Sequence, residues 1–545
     1  MPTCQNIAPT TLSMAPYTGP WTKDLASHLL RRTLYGPTQV QINDTVALGV
    51  DFAVENLLQI IPSTDPLTWH PDEAVGAQGA TWVTEFYPTD EALVDPTEDA
   101  RKHSLFSWIA GRINTEQNAS PSITEKICFF WHNHFSAKRT GDGRNTFMYH
   151  RLIDTHALGN FRTLIEDITV DPCMMYFLDT ASNTKWSPNE NYARELLELY
   201  TIGKGPLIGP GDYSNYTEED IAAGAMILTG WKVRENKSAV ANPYSEFDPS
   251  HHEDSDKQLS HHFNNAIVAS NDELEYKDFI DLIFQKDETA FHISKKLYRF
   301  FVSTEITPEI ESSVIDQMAQ TMLANNYEIR PVLAELLKSE HFYDLVNIGA
   351  HMKSPLEFIF SMMNPTLTYP TNGLDGDNLL WKQLYAKASS INQNWYSPPS
   401  VAGWLCFYQE PAFMQHWLNA ATINSRFWYV TQLTTHSTGI SSDTFGTLYS
   451  IKIDALSFLA TLQTPSDGSA MIDEICLLFL PRLLEQTKRD ALLNTLTDGL
   501  PEFEWTLQYN EYLANPTDVN YSDPVKSQME AVLSQLFKSP EFQSC

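Results

Sequence analysis

The stretch Ser187-Pro188-Asn189-Glu190-Asn191-Tyr192-Ala193-Arg194-Glu195-Leu196-Leu197-Glu198-Leu199-Tyr200 decides the fold class. At about 100° per residue, Tyr192, Ala193, Leu196, Leu197, Leu199 and Tyr200 share one apolar arc, and Glu190, Asn191, Arg194, Glu195 and Glu198 share the opposite one. That division predicts an amphipathic α-helix lying on a core. Ser187 is the expected N-cap, Pro188 fits N1, and Glu190 at N3 completes a capping box. Gly203 and Gly205 are the expected stop.

The polar arc supports two readings. Arg194 lies four residues from both Glu190 and Glu198, so an exposed ladder worth roughly 0.2–0.5 kcal/mol per pair accounts for it. The same three carboxylates and one arginine, covered by a neighbouring element, form a donor and acceptor set suited to a hard cation or to acid–base chemistry.

Upstream, Ser122-Ile123-Thr124-Glu125 reads as a second capping box, opening a helix through Phe135. Ile127, Phe130, Trp131 and His134 fall on its inward side, whereas His132 is turned about 200° from His134 around the axis. In a continuous helix the two imidazoles therefore cannot share an ion. His134 is either a core histidine bonded to a neighbour or a ligand or acid–base group.

The same periodicity predicts helices over 22–32, 99–114, 151–167, 290–304, 308–325, 329–339 and 353–363, and Thr217 to Asp220 forms a third capping box. Residues 62–98 and 364–380 read as long irregular segments. The expected fold is mainly α: a multi-helix orthogonal bundle in two packed units with long irregular loops. An irregular leader, 1–21, precedes an N-terminal unit, 22–345, carrying the site, and a C-terminal unit, 346–545. An echo links the two, since Glu335-Leu336-Leu337-Lys338-Ser339-Glu340-His341-Phe342 resembles Gln535-Leu536-Phe537-Lys538-Ser539-Pro540-Glu541-Phe542, so each is expected to close its unit alike.

Composition excludes several classes. A net charge of −32 repels phosphate backbones, which argues against nucleic acid as a partner; it suits cations, and it also simply favours solubility. Cys4, Cys128, Cys173, Cys406, Cys476 and Cys545 form no Cys-x-x-Cys pair, against a structural zinc or thioredoxin-type site. No basic n-region followed by an apolar h-region is visible at the start, and no run of about 18 apolar residues occurs to span a bilayer. Gly-x-Ser-x-Gly, P-loop and His-Glu-x-x-His motifs are missing from the sequence. Asp248, His251, His252, Asp254 and Asp256 form an acidic, His-bearing loop that is either solvated or a source of further ligands, and Lys257 beside it is a candidate counter-charge. Trp395, Tyr396, Trp417 and Trp428 surround a Pro- and Gly-bearing loop and are read as packing between the units or the floor of a cleft.

Several motifs occur together and in order: His28-Leu29-Leu30-Arg31-Arg32 with Gly36-Pro37-Thr38, Trp131-His132-Asn133-His134-Phe135, Asn189 to Leu199 with Thr201-Ile202-Gly203, and Leu228-Thr229-Gly230-Trp231. Phe247-Asp248, Leu297-Tyr298-Arg299-Phe300-Phe301, Lys353-Ser354-Pro355 and Pro398-Pro399-Ser400-Val401-Ala402-Gly403-Trp404 follow. This set resembles the DUF1800 family over roughly residues 25 to 430. The resemblance implies an α-helical bacterial protein, typically exported to the periplasm or cell surface and often encoded beside a DUF1501-type partner. It implies no activity.

The resulting expectation is an exported metal-dependent hydrolase acting on an extracellular polymer or surface component. Glu195, Arg194 and His134 are the expected catalytic residues. Glu190, Glu195, Glu198, His134 and His252 are the expected ligands of a divalent ion, Ca²⁺, Zn²⁺ or Mg²⁺. The alternative is a non-catalytic surface, assembly or binding protein in which the Glu-Arg-Glu helix is a buried salt-bridge lock.

Overall fold

In the computed structural model, residues 11–115, 120–442 and 446–545 are described, so Cys4 and the first ten residues of the expected leader lie outside the described residues. The chain is mainly α. Its first half runs α1 (Lys23–Thr33), α2 (Gln39–Leu57), α3 (Glu91–Thr115), α4 (Thr124–Phe135), α5 (Gly143–His156), α6 (Phe161–Thr169), α7 (Pro172–Phe177) and α8 (Asn191–Glu195), which continues as a π-helical turn over Leu196–Tyr200. A hairpin of β1 (Leu207–Gly209) and β2 (Asp212–Tyr213) leads into α9 (Glu218–Ile227), followed by the short antiparallel pairs β3 (Trp231–Arg234) with β4 (Tyr244–Phe247) and β5 (Lys257–Gln258) with β6 (Ile267–Val268). Helices α10 (Glu275–Phe284), α11 (Asp287–Phe301), α12 (Pro308–Ile310), α13 (Asp316–Ala324) and α14 (Ile329–Lys338) complete this half. The second half carries α15 (Pro355–Met363), α16 (Gly373–Ser390), α17 (Ala420–Thr434), the pair β7 (Ile440–Ser442) with β8 (Tyr449–Ile451), and α18 (Ala455–Leu459) through α22 (Val519–Phe537).

Local chemistry sets many of these boundaries. Thr22 caps α1, Asp171 caps α7 with Pro172 at its first position, and Thr217 and Asp220 form the reciprocal box that opens α9. The box expected at Ser122 does not form. Ser122 donates instead to the Gln59 carbonyl at 2.6 Å and accepts from Thr124, while Glu125 turns to the Arg112 guanidinium at 2.9 Å. The 151–167 segment is broken at 157–160, where Asn160 caps α6. Helix α3 starts eight residues before the expected Asp99, so the irregular excursion is shorter than its composition suggests.

One hydrophobic cluster extends from Met14 to Phe542. Its centre includes α4, whose residues are all buried. Against α4 lies the Pro398-to-Trp404 loop: the Trp404 amide donates to Asn133 Oδ1 at 3.0 Å. At Gly403, with φ +88°, a Cβ would come within 2.4 Å of the Asn133 carbonyl oxygen, so the approach requires glycine. Trp395, Tyr396, Trp404 and Trp417 are buried packing residues, whereas Trp428 is half exposed. The two echoing segments close alike. Phe342 donates its amide to Ser339 Oγ and Phe542 to Ser539 Oγ, each after a serine amide has bonded back to the helix, and both rings are buried. Phe342 then packs on His28, and Phe542 lies under the Lys353 ammonium at 3.5 Å.

Candidate functional site

Helix α8 begins four residues after the expected N-cap. Ser187 is drawn into a bridge with Thr184, and the start is set by an asparagine relay: buried Asn183 accepts from the Asn189 amide at 2.9 Å, and Asn189 accepts from the Asn191 amide at 2.9 Å. The Ser187/Glu190 box is therefore absent. After Glu195 the backbone changes to the wider π-helical turn, a geometry frequent at functional sites.

Tertiary partners redistribute the polar arc. The expected Arg194–Glu198 rung does not form, because both groups take partners from outside α8. Arg194 pairs with Glu190 at 3.0 Å and meets both oxygens of Glu218, at the start of α9, at 3.0 and 2.8 Å. Glu198 takes Lys204 at 3.0 Å and the Tyr216 hydroxyl at 3.0 Å. The Glu-Arg-Glu set is therefore Glu190–Arg194–Glu218, and with Arg194 and Glu218 side chains 33% and 40% exposed it is half exposed, unlike the buried lock of the alternative reading.

Glu195 has neither a hydrogen bond nor an ion pair among the described residues, and burial, reinforced by Glu198, pushes its carboxyl up to about 7 against the pull of Arg194, Lys204 and Lys296. Facing the end of the turn is α11, which brings in Lys296 and His292. Lys296 donates to the Leu199 carbonyl at 2.7 Å and to His134 Nδ1 at 3.2 Å, and burial together with Arg299 brings its ammonium down to about 7. His292 shares the Leu199 carbonyl at 3.1 Å and is lowered to about 3, mainly by burial. His134 Nε2 donates to the Tyr200 carbonyl at 3.1 Å, and burial and then Lys296 hold its ring far below the usual histidine range. Three side chains thus satisfy carbonyls that a helix C-terminus leaves unpaired. Gly203 makes room for them: at its φ of +73° a Cβ would stand 2.7 Å from His292 Nδ1.

The expected metal ligands do not converge. Both nitrogens of His134 are occupied, and His132 faces away to Tyr149 and the Trp395 carbonyl, as its helical position requires. His252 belongs to a separate buried cluster: Nδ1 meets the Thr229 carbonyl at 2.8 Å and Nε2 meets Glu275 at 3.0 Å, while Glu275 also accepts from Lys257 at 2.6 Å. Lys257 is thus a counter-charge, to Glu275 rather than to the loop carboxylates. Among the described residues the one group of three ligand-type side chains close enough to hold an ion is Asp212, His261 and His262.

Three participants were missed in the sequence, Lys296, His292 and Glu218. The spacing of His292 and Lys296, four apart on the face of α11 beside Ile293 and Leu297, was the available signal. Glu218 was read only as part of a cap, and nothing local marks it as the partner of Arg194.

No helix of the described residues is long and apolar enough to cross a membrane. No curated protein and no solved structure matches the chain. A family model described as "Protein of unknown function (DUF1800)" matches residues 28–544, nearly the whole chain and well past the motifs that first suggested it, and the chain belongs to that family.

Proposed function

We propose that this DUF1800 protein is a hydrolase that applies general acid–base chemistry to an extracellular polymer or surface component, with Glu195 as the proton-transferring carboxyl. The observation that carries this reading is that Glu195 has no hydrogen bond or ion pair among the described residues, on an arc where Glu190 and Glu198 are both committed to partners. A carboxyl near neutrality takes a proton from attacking water and returns it to a leaving group, a service worth about 10²–10⁴ in rate. Lys296, oriented by His134 and the Leu199 carbonyl, places positive charge close to it, and Arg194, braced between α8 and α9, orients an anionic or carbonyl group. The half-exposed arc suits a chain lying along it better than an enclosed small molecule. The acidic field favours a neutral or cationic substrate. Export and a DUF1501-type partner, both implied by the family, belong to the same proposal.

A second reading has one observation in its favour. His134, His292 and Lys296 cap the end of the π turn, so the whole arc serves equally as a brace in a non-catalytic surface or assembly protein. Glu195→Gln separates the two, because it keeps the shape and removes the proton transfer. Wild-type protein incubated with insoluble and soluble polysaccharides and peptides is expected to release fragments with a pH limb near 7, and Glu195→Gln is expected to release none. Undiminished turnover in Glu195→Gln overturns the reading. So does the lack of turnover on every polymer together with a Glu195 carboxyl that titrates in the ordinary glutamate range by carbon-13 NMR.

A further inference from the structure

The geometry points to a divalent transition-metal site formed by Asp212, His261 and His262, separate from the polar arc of α8. His262 Nε2 stands 2.8 Å from one oxygen of Asp212, His261 Nε2 stands 4.0 Å from the other, and the two imidazole rings are 4.0 Å apart. One ligand atom from each residue lies within 4.8 Å of the other two. Bonds of about 2.0–2.2 Å to nitrogen and carboxylate oxygen require ligand atoms roughly 3.3–3.6 Å apart in a tetrahedral site. The observed separations bracket that span, and His261, with its side chain 60% exposed, is free to make the small adjustment.

The backbone around the three residues is held from below. Ser260, which caps the short turn carrying both histidines, donates its amide and hydroxyl to the two oxygens of buried Asp220 at 2.7 and 2.6 Å. Asp220 is the box residue of α9. Asp212 pairs across to Thr217, the other half of that box, and the Glu218 amide bonds the Gly211 carbonyl at 2.9 Å. One helix start therefore fixes the carboxylate and both imidazoles together. Two imidazoles with one carboxylate select Zn²⁺, Co²⁺, Ni²⁺ or Cu²⁺ over Ca²⁺ and Mg²⁺, which prefer all-oxygen sets. Three protein ligands leave at least one position for water or a further ligand. The bound ion would clip the β1–β2 hairpin to the 260–263 turn. In that hairpin Tyr213 points to Glu218 at 3.3 Å, so the clip would steady the partner of Arg194 from outside the site.

The test uses the full-length, tag-free protein stripped by chelator. Co²⁺ is titrated while its visible d–d absorption is followed, and Zn²⁺ is titrated by calorimetry. One ion per chain is expected, with a rise in Tm on Zn²⁺ addition. His261→Ala and Asp212→Asn are each expected to weaken binding at least about tenfold and to abolish the Tm rise. Because His261 is exposed, the chelated His261→Ala protein is expected to melt with the chelated wild type, which separates lost ligation from lost folding. The wild type failing to saturate at one ion, or both variants binding as the wild type does, overturns the proposal. Either result is independent of whether Glu195 transfers protons.

Discussion

Lys296 donates to Nδ1 of His134 at 3.2 Å while Nε2 of the same ring donates to the Tyr200 carbonyl at 3.1 Å, so a lysine and a peptide group together fix one neutral tautomer of the histidine. His134 therefore holds Lys296 in place. In Lys296→Met the ammonium that lowers the ring is gone, and the His134 midpoint is expected to move up toward the usual histidine range without reaching it, since burial is the larger cause. Glu195 is expected to rise above its value of about 7 in the same variant, because one of the cations pulling it down has been removed. Nitrogen-15 and carbon-13 NMR titrations read both; a His134 midpoint that stays in place would show that the lysine does not act on the ring.

The Arg194–Glu218 contact is bidentate but half exposed, and exposure decides its magnitude. A double-mutant cycle of Arg194→Ala and Glu218→Ala is expected to give a coupling of about 0.5–1 kcal/mol, and the Arg194–Glu190 cycle about 0.3–0.5 kcal/mol, both shrinking as salt is raised. Denaturant unfolding measures this. A coupling of several kcal/mol would restore the buried-lock reading.

Much of the fold was legible in the sequence because it rests on local rules. The helix over 22–32, the capping box at Thr217, the opposed directions of His132 and His134, and the twin closures at Phe342 and Phe542 each follow from spacing over a few residues. The site was less legible because tertiary partners outbid local ones. Ser122 and Ser187 had the correct spacing for caps, but the Gln59 carbonyl took the first and Thr184 took the second. The π turn leaves no mark in the pattern of apolar residues, and the partner that Glu198 takes within it, Lys204, lies beyond the end of the helix. Lys296 arrives from a helix about a hundred residues further along the chain, and periodicity within α8 carries no information about it.

Asp171 illustrates a functional-looking titration that is structural. It caps α7 through the Met174 amide at 2.9 Å, and burial pushes its carboxyl up to about 7. Its folded value lies above the unfolded value of about 3.9, so the folded chain holds a proton that the unfolded chain releases, and stability falls as pH rises from about 4 to 7. Asp171→Asn keeps the cap and removes the titration. The variant is expected to match the wild type at pH 4 and to exceed it by about 1–3 kcal/mol at pH 8, a range discounted from roughly 1.36 kcal/mol for each pH unit that separates the folded and unfolded midpoints. Urea unfolding at the two pH values checks it; equal gains at both would assign the effect to packing.

The Lys257–Glu275–His252 cluster is where a buried charge pair governs stability. Side chains of Lys257 and Glu275 are fully buried, and Glu275 accepts from Lys257, from His252 and from the Asn271 amide at 3.0 Å, contacts that hold it below the ordinary carboxylate range despite desolvation. Glu275→Gln leaves an ammonium in the interior without its counter-charge, and the expected loss is about 3–5 kcal/mol. Replacing both partners at once by apolar residues of similar size, as in Lys257→Met with Glu275→Leu, removes the stranded charge and is expected to recover part of that loss, because the His252 nitrogen, the Asn271 amide and the Glu253 carbonyl lose their partners, each at about 1–3 kcal/mol where water does not replace them. Because the folded carboxyl lies below its unfolded value, this contribution is present above about pH 4.3 and declines as pH falls further. Guanidinium unfolding of the single and double variants measures it. A single variant within about 1 kcal/mol of wild type would mean that water reaches Lys257 and that the pair is not desolvated.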